Sequence, residues 1–343
     1  MPHDLLKQFL SRLVRRENLS SDEAGKLLDA LLDDAATDSQ IAGTLVALAS
    51  KGETVEELTG MARGLRARAI NVNASHPCFI DTAGTGSSPA KTFNISTAAA
   101  FVIAGAGLPV AKHGNRAASS QSGSADVLTA LGVNVSALPE VSESSLKEIG
   151  ICFMFAPLYH GATARVAGIR RQLGVHTTFN LLGPLSNPAS APRQIIGVWR
   201  KDLVPLLAEV LAALGTERAW VVHGDDGLDE ITLAGKTFVA EAREGTVRTF
   251  EIEPANFGFT GGALDHLRGG DTSANARIVG DVLCGSRRDE ARALVVMTAA
   301  AALLVGDMAH DLRGAAHLAE ESIDSGKAQE KLEQLIRATN SPE

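Results

Sequence analysis

The feature of this sequence that most constrains its fold is a change of hydrophobic pattern near residue 76. Before this point, leucines and other apolar residues recur every three or four positions, as on one face of an α-helix. After it, short apolar runs end in glycine-rich turns and lead into helix-like segments, a pattern typical of alternating strands and helices. The sequence therefore predicts an α/β protein in which a small N-terminal α-helical domain precedes a large α/β domain.

Polar residues at fixed spacing mark helix ends in the N-terminal part. Ser20 with Glu23, and Thr54 with Glu57, have the capping-box spacing. In this motif a hydroxyl and a carboxylate satisfy backbone groups that lack partners at a helix start. Gly52 stands where a helix would end. Together with the leucine periodicity, these signals predict four short helices.

The rest of the chain alternates between candidate strands and candidate helices. Apolar runs of strand length lie at residues 78–80, 108–111, 150–155, 194–198, 219–222 and 230–233. Helical periodicity marks residues 126–131, 203–214 and 289–305, and a further, polar helix from about residue 314. This alternation indicates α/β architecture for the larger domain.

Charge and cysteine content limit the partners of this chain. It has 343 residues and a formal net charge of -8, so it lacks the excess of lysine and arginine that binding to a nucleic-acid backbone requires. Its three cysteines have neither metal-ligand spacing nor a disulfide framework, which favours a reducing compartment. The sequence has no convincing signal peptide, and its longest apolar run is shorter than the roughly 20 residues that cross a bilayer. We therefore expect a cytoplasmic protein.

A glycine-rich turn follows the first candidate strand. Gly84 and Gly86 let the backbone approach a ligand closely, and free N–H groups at the next helix start attract phosphate. Hydroxyl and amide side chains cluster with the turn: Thr85, Asn94, Ser96 and Thr97. Pro89 excludes the dinucleotide and P-loop templates. For the glycines alone, a turn without a ligand is the alternative.

A second polar turn, residues 112–126, leads into another helix. It contains the cations Lys112 and Arg116, the polar residues His113 and Asn115, and four serines. Cations, hydroxyls and a helix N-terminus together form a cradle for a diphosphate or a sugar phosphate. The alternative is a basic turn whose serines cap the helix.

An acidic pair, Asp229 and Glu230, follows the candidate strand at 219–222. Two other acidic pairs lie in first helical turns, where they offset the helix dipole, but this pair does not. Adjacent hard carboxylates beside phosphate-binding turns suit Mg²⁺, which keeps several waters and bridges protein to diphosphate. A solvated surface pair is the alternative.

Arg170 precedes a run rich in leucine, glycine and proline at residues 178–188. Its guanidinium can pair with both oxygens of a planar carboxylate in an apolar pocket. A surface salt bridge is the alternative for a lone arginine.

Together these four stretches, and above all residues 112–126 and 178–188, resemble the anthranilate phosphoribosyltransferase family. The resemblance implies a helical domain at residues 1–72, joined by part of 158–180. It also implies an α/β domain at 73–343 with a central mixed β-sheet flanked by helices. A homodimer formed through the helical domains is a further implication.

The resemblance also assigns ligands to individual residues. For 5-phosphoribosyl 1-diphosphate they are Gly84, Thr85, Gly86, Ser87, Ser88, Thr92, Asn94, Ser96, Thr97, Lys112, Asn115, Ser119, Ser120 and Ser124. For anthranilate they are Gly84, His113, Asn115, His160, Arg170, Gly183 and Pro184. Two Mg²⁺ ions are expected, with ligands from Ser96, Asp229 and Glu230. Lys112 and Arg170 are the expected catalytic residues.

The sequence departs from the family's pattern at two places. An acidic residue usually follows the glycine-rich turn, where this chain has Ser87, Ser88 and Pro89. Ser88, or Lys91 close by, is the candidate to replace that acid. The proline that usually follows the middle histidine is Gly161 here, which predicts a looser hinge and tunnel.

The expected activity is transfer of the phosphoribosyl group to the amine of anthranilate, with release of diphosphate, in tryptophan biosynthesis. A pyrimidine nucleoside phosphorylase, which has a related fold and a related Lys-x-x-x-Arg loop, is the alternative enzyme. It would need neither the acidic pair nor residues 179–188. A non-catalytic relative that binds nucleic acid is the alternative of another class, and the acidic balance disfavours it.

Overall fold

The computed structural model describes residues 3–86, 92–117, 122–263, 267 and 269–341. The predicted N-terminal helices are confirmed as α1 (Asp4–Val14), α2 (Ser21–Leu32), α3 (Asp38–Lys51) and α4 (Val55–Arg68). Both predicted capping boxes are present, and a third, formed by Thr37 and Gln40, starts α3. Helix α3 ends at Gly52 with a φ of 86°, in a region that glycine adopts without steric cost.

In the described part of the chain, a seven-stranded sheet follows these helices. Its strands are β1 (Ile80–Gly84), β2 (Val110–Gly114), β3 (Ile151–Phe155), β4 (Arg193–Gly197), β5 (Arg218–Gly224), β6 (Thr237–Arg243) and β7 (Thr246–Ile252). Their spatial order is β3-β2-β1-β4-β5-β6-β7. Strands β1 to β5 are parallel, whereas β6 pairs antiparallel with both β5 and β7. The expected α/β class and mixed sheet are confirmed.

Helices connect and cover the strands. They are α5 (Ile95–Gly105), α6 (Ser124–Ala130), α7 (Pro139–Ile149), α8 (Ala156–Tyr159), α9 (Ala164–Leu173), α10 (Thr178–Leu185), α11 (Leu203–Ala213), α12 (Pro254–Phe257), α13 (Thr272–Leu283), α14 (Glu290–Val305), α15 (Leu312–Asp324) and α16 (Lys327–Asn340). Helices α5 and α14 contact each other and are buried on nearly all sides, as their continuous apolar, alanine-rich sequences require. Among the described helices, none has the length and apolar character needed to cross a membrane.

The N-terminal helices share a hydrophobic core with one face of the sheet. Leu45 of α3 and Leu58 of α4 belong to the same buried cluster as Leu182 of α10, Val204 of α11 and Val221 of β5. Helix α9 also packs on α3, and α10 packs on α4. A second buried cluster, containing α5 and α14, covers the opposite face. Apolar burial on both faces fixes the carboxyl ends of the parallel strands relative to the helical bundle.

The prediction of a strand at residues 230–233 is wrong. The N–H of Thr232 donates to Thr237 Oγ1 at 3.0 Å, and the N–H of Gly262 donates to Leu233 O at 3.0 Å. The segment is therefore a buried loop, because its backbone groups bond to a side chain and to another loop instead of forming a ladder. The first strand also extends beyond the predicted residues 78–80, since β1 covers Ile80–Gly84.

Candidate active site

The order of the strands indicates where a ligand can bind. After β1 the chain continues to β2 and β3 on one side of β1, whereas β4 and β5 lie on the other side. In open α/β sheets the connections diverge at such a position, and a crevice opens beyond the carboxyl ends of the two strands. Gly84 ends β1 opposite Gly197, which ends β4. The predicted glycine-rich turn thus begins at the topological switch point.

Hydrogen bonds fix the start of this turn. Both the N–H and the Oγ1 of Thr85 donate to Gly197 O, at 2.9 and 3.2 Å. Gly86 has a φ of 67°, in the left-handed region. The segment that departs from the family pattern lies outside the described residues; it contains Ser87, Ser88, Pro89 and Lys91. The backbone conformation of Gly84 to Gly86 is therefore set by β4.

The polar residues that follow this turn lie at the start of α5. Asn94 is the N-cap residue of α5, and Thr97 is buried in its first turn. The hydroxyl of Thr92 donates to Phe93 O at 3.3 Å. The N–H of Ser96 donates to Glu230 Oε1 at 3.2 Å, so the predicted metal ligand Glu230 caps the same helix start that was predicted to bind phosphate.

Asp229 and Glu230 are partly buried carboxylates that lie next to each other. Burial raises the pKa of Asp229 to about 6. Burial and the neighbouring Asp229 raise the pKa of Glu230 to about 8. Two crowded carboxylates with hard oxygen atoms fit Mg²⁺, which one or two protein carboxylates usually hold together with waters and substrate phosphates. In the described residues, no group of three or more histidine, cysteine or acidic side chains could hold a metal ion.

Gly197 allows the acidic pair to come this close. A Cβ added at Gly197 would lie 1.7 Å from Asp229 O and 2.6 Å from Asp229 C, so only glycine fits here. Gly197 was not predicted as a site residue, because it ends an apolar strand and no local signal distinguishes it. The contact joins the end of β4 to the loop that carries the acidic pair.

Lys112 lies in β2, beside the switch point, and is 4% exposed. Its Nζ donates to Thr82 O and, at 3.3 Å, to Thr82 Oγ1. Burial lowers the pKa of Lys112, whereas Asp81 and Glu230 act in the opposite direction. The side chain of Lys112 is thus buried, positioned by Thr82 and close to Glu230.

His113, the next residue of β2, belongs to a second group of buried polar residues. Its N–H donates to Asp81 Oδ1 at 3.1 Å, and its ring lies 5.2 Å from the ring of His160. A ring nitrogen of His160 lies 3.0 Å from Ser186 O. Burial lowers the pKa of His113 to about 3 and also lowers that of His160. Both rings are therefore neutral at physiological pH.

Asp126 holds together the ends of the second predicted turn. Its Oδ2 accepts from the N–H groups of Ala117 and Gly123, both at 3.0 Å, and its Oδ1 accepts from Arg116 at 2.9 Å. Asn115 O accepts from the hydroxyl of Ser124 at 3.3 Å. The predicted ligands Ser119 and Ser120 lie outside the described residues.

Arg170 is positioned by helix α10. Its Nη2 donates to Asn180 Oδ1 at 2.9 Å, and its guanidinium carbon lies 5.7 Å from the centre of the Phe179 ring. Burial lowers the pKa of Arg170. Gly183 and Pro184 lie in the last turn of α10. A Cβ added at Gly183 would have no neighbouring atom within 4 Å, so open space adjoins this position.

The two groups of predicted residues meet at β2. Lys112 contacts Thr82 of β1, while the next residue, His113, contacts Asp81 of β1 and His160. Gly161, in the second departure from the family pattern, is exposed, and a Cβ there would have no neighbour within 4 Å. The side predicted to bind phosphate and the side lined by the two histidines therefore adjoin along consecutive residues of one strand.

Comparison with known proteins shows the class of this chain. A family model described as the a/b domain of the glycosyl transferase family matches residues 76–329, and the model of that family's helical bundle domain matches residues 7–69. The fold and the site thus define a two-part glycosyltransferase.

The similar proteins narrow this class to one family. Anthranilate phosphoribosyltransferase from Desulfosudis oleivorans is 48% identical, over 98% of this chain and 99% of its own length. The enzyme from Anaeromyxobacter dehalogenans strain 2CP-C is 51% identical, over 98% of this chain and 100% of its own length. The crystal structure of the enzyme from Thermus thermophilus is 37% identical with a TM-score of 0.91, covering 97% of this chain and 99% of its own. The chain belongs to the anthranilate phosphoribosyltransferase family.

One solved relative bears directly on ligands. The Saccharomyces cerevisiae anthranilate phosphoribosyltransferase, solved in complex with PRPP (5-phosphoribosyl 1-diphosphate) and Mg, is 29% identical with a TM-score of 0.89. It covers 98% of this chain and 98% of its own.

Proposed function

We propose that this chain transfers the 5-phosphoribosyl group from 5-phosphoribosyl 1-diphosphate to anthranilate, giving N-(5-phosphoribosyl)anthranilate and diphosphate in tryptophan biosynthesis. The observation that carries the proposal is the convergence of Glu230, the start of α5 and the buried ammonium of Lys112 beside the turn after β1. This combination of a cation, the positive end of a helix dipole and crowded carboxylates suits a metal-bound diphosphate. The names of the most similar relatives support the same activity.

The phosphoribosyl diphosphate site comprises the turn after β1, the start of α5 and the turn after β2. Its described members are Gly84, Thr85, Gly86, Thr92, Asn94, Ser96, Thr97, Lys112, Asn115 and Ser124. Thr85 positions the turn, because both its N–H and its hydroxyl donate to Gly197 O. Ser87, Ser88, Ser119 and Ser120 remain proposed ligands on the strength of the sequence.

Two Mg²⁺ ions bind here, with Asp229 and Glu230 as ligands and Ser96 as a further contact. When bound, Mg²⁺ supplies positive charge that offsets the charge of the diphosphate. The hard oxygen donors and the raised pKa values of Asp229 and Glu230 support this assignment, because an added cation favours their ionised forms. The relative from S. cerevisiae solved with PRPP and Mg supports the choice of metal.

Anthranilate binds on the other side of β2. Arg170, held by Asn180 and packed on Phe179, pairs with the carboxylate of anthranilate. The neutral rings of His113 and His160 line the route of the aromatic amine. Gly84, Asn115, Gly183 and Pro184 complete this side of the site.

The reaction is displacement of diphosphate at the anomeric carbon by the amine nitrogen, through a transition state with oxocarbenium character. The turns after β1 and β2 hold the ribosyl donor, and Arg170 orients the acceptor, so the chain lowers the barrier mainly by positioning. The buried charge of Lys112 stabilises the charge that grows on the departing diphosphate. Because an aromatic amine is already a neutral nucleophile, its proton need leave only late.

Three further assignments accompany this function. The chain divides at residue 72 into a helical and an α/β domain, with part of 158–180 joining the helical one, and the packing of α9 on α3 supports this division. The protein forms a homodimer through its helical domains. It works in the cytoplasm, as its cysteine content favours.

The test is loss of anthranilate fluorescence when the purified protein is mixed with anthranilate, 5-phosphoribosyl 1-diphosphate and Mg²⁺. We expect decay that requires all three additions. If fluorescence is stable and the protein instead cleaves thymidine in the presence of phosphate, it is a pyrimidine nucleoside phosphorylase and the proposal is wrong.

A further inference from the structure

A line of hydrogen bonds connects α13 to both substrate turns, through a residue outside the predicted site. Asn275 lies in the first turn of α13 and is 3% exposed. Its Oδ1 accepts from Gly270 N–H at 2.9 Å, and its Nδ2 donates to Asn94 Oδ1 at 3.3 Å. The Nδ2 of Asn94 in turn donates to Ser122 O at 3.3 Å.

The two ends of this line determine how both amides are oriented. A backbone N–H such as that of Gly270 can only donate, and a backbone carbonyl such as that of Ser122 can only accept. The oxygen of Asn275 must therefore face Gly270, its nitrogen must face the oxygen of Asn94, and the nitrogen of Asn94 must face Ser122. Turning either amide alone would bring two donors or two acceptors together.

Close packing holds the same segment against the first substrate turn. A Cβ added at Gly269 would lie 2.3 Å from Thr92 O, so the backbone before α13 lies directly on the backbone before α5. Helix α13 also contacts both α5 and α6, the two helices that begin where the substrate turns end. A displacement of Asn275 would therefore reach both turns.

The orientation of Asn94 has a chemical consequence. Its side chain makes no capping bond to α5, and its oxygen is already occupied by Asn275. Within the described residues, its bonds leave one amide N–H for another acceptor. An N–H suits a phosphate oxygen, whereas an exposed amide oxygen would repel it.

We propose that Asn275 is a positioning residue for the phosphoribosyl diphosphate site. It orients the Asn94 amide so that an N–H points to the substrate, and it links the turn before α5 to the turn before α6. This inference rests on the proposed function, because it assumes that Asn94 contacts the phosphorylated sugar.

The test is a double-mutant cycle on binding of 5-phosphoribosyl 1-diphosphate with Mg²⁺, measured by calorimetry. Asn275→Asp keeps an acceptor for Gly270 N–H but sets an oxygen against Asn94 Oδ1. Asn94 must then turn its amide and lose its bond to Ser122. We expect the Kd and the KM for the sugar diphosphate to rise about tenfold or more, since the bond that Asn94 loses to the substrate is a bond to a charged group. The KM for anthranilate and kcat at saturation should stay within about twofold.

The cycle separates positioning from a merely structural role. In an Asn94→Ala background, Asn275→Asp should raise Kd no further, because its effect passes through Asn94. Asn134→Asp, an exposed change of the same charge, is the matched control and should leave Kd unchanged. If Asn275→Asp does not fold, Asn275→Ala replaces it in the same cycle.

Additive effects of the two substitutions, or an unchanged Kd in Asn275→Asp, would overturn the inference. Absence of binding by the unmodified protein would instead overturn the proposed function. Binding by the unmodified protein with no further loss in the double variant would support both.

Discussion

The contact between Gly197 and the loop of the acidic pair allows a sharp test of how the site is built. A Cβ added by Gly197→Ala would lie 1.7 Å from Asp229 O, whereas ordinary van der Waals contact begins at 3.4 Å. The two segments must therefore separate by roughly 1.7 Å, the difference between these two distances. Because the obstructing atoms belong to the backbone, no side-chain rotation can relieve the clash.

This separation should reduce both stability and activity. Forcing an extra methyl into a closely packed site typically costs about 1–3 kcal/mol. A misplacement of about 1 Å at a positioned group costs roughly a hundredfold in rate. The acidic pair moves with the loop, and Thr85 moves with β4, because it donates twice to Gly197 O. We therefore expect kcat/KM to fall by about a hundredfold or more.

Gly25→Ala is the matched control for this substitution. Gly25 lies inside α2, where an added Cβ would have its nearest contact at 3.8 Å, an ordinary distance. Alanine in a helix interior should stabilise the protein by about 0.4–1 kcal/mol and leave turnover unchanged. Urea unfolding measures stability, and the anthranilate fluorescence assay measures turnover. Unchanged stability and activity in Gly197→Ala would refute the reasoning.

Three further predictions concern charged groups. Burial raises the pKa of Asp81 from 3.8 to about 6, so the folded chain binds an extra proton in this window and loses stability as pH rises through it. The variant Asp81→Asn keeps an acceptor for His113 N–H. Between about pH 4 and pH 7, its free energy of unfolding in urea should rise relative to that of the unmodified protein by about 1 kcal/mol or more. A difference that does not depend on pH would contradict this prediction. Arg170→Ala should raise the KM for anthranilate about tenfold or more in steady-state assays, and an unchanged KM would remove Arg170 from the pocket. Replacing Asp229 and Glu230 with alanine should abolish turnover supported by Mg²⁺, and full activity would show that the pair is only surface.

The helices were predictable where their signals are local. Ser20 and Thr54 cap helices as expected, because a capping box depends only on residues three positions apart. The hairpin of β6 and β7 was not predicted, although Glu244 and Gly245 between them both have positive φ, as a two-residue hairpin turn requires. A Glu-Gly pair is a weaker turn signal than Asn-Gly or Asp-Gly. The exposed strand β7 also lacks a clear apolar face.

The candidate site was predictable where its residues form consecutive motifs, and less so where distant segments meet. Lys112, Asn94 and Glu230 stand in runs of polar or glycine residues that indicate their chemistry. Gly197 and Asn275 stand in ordinary surroundings. Gly197 contacts Asp229, 32 positions away (229 − 197), and Asn275 contacts Asn94, 181 positions away (275 − 94). A single sequence carries no signal for such contacts.

At the proposed metal and diphosphate site, the charges at the switch point couple the binding of the two ligands. Burial raises the pKa values of Asp81, Asp229 and Glu230, and the buried side chain of Lys112 opposes this rise at Asp81 and Glu230. Because all three carboxyl groups are buried, ionising them together is unfavourable. A diphosphate alone would add more negative charge, whereas a divalent cation relieves the acidic pair and attracts the diphosphate. Because each ligand improves the environment of the other, linkage requires their affinities to rise together. On the proposed assignment, the electrostatics of the acidic pair therefore favour binding of the metal-complexed substrate over either component alone.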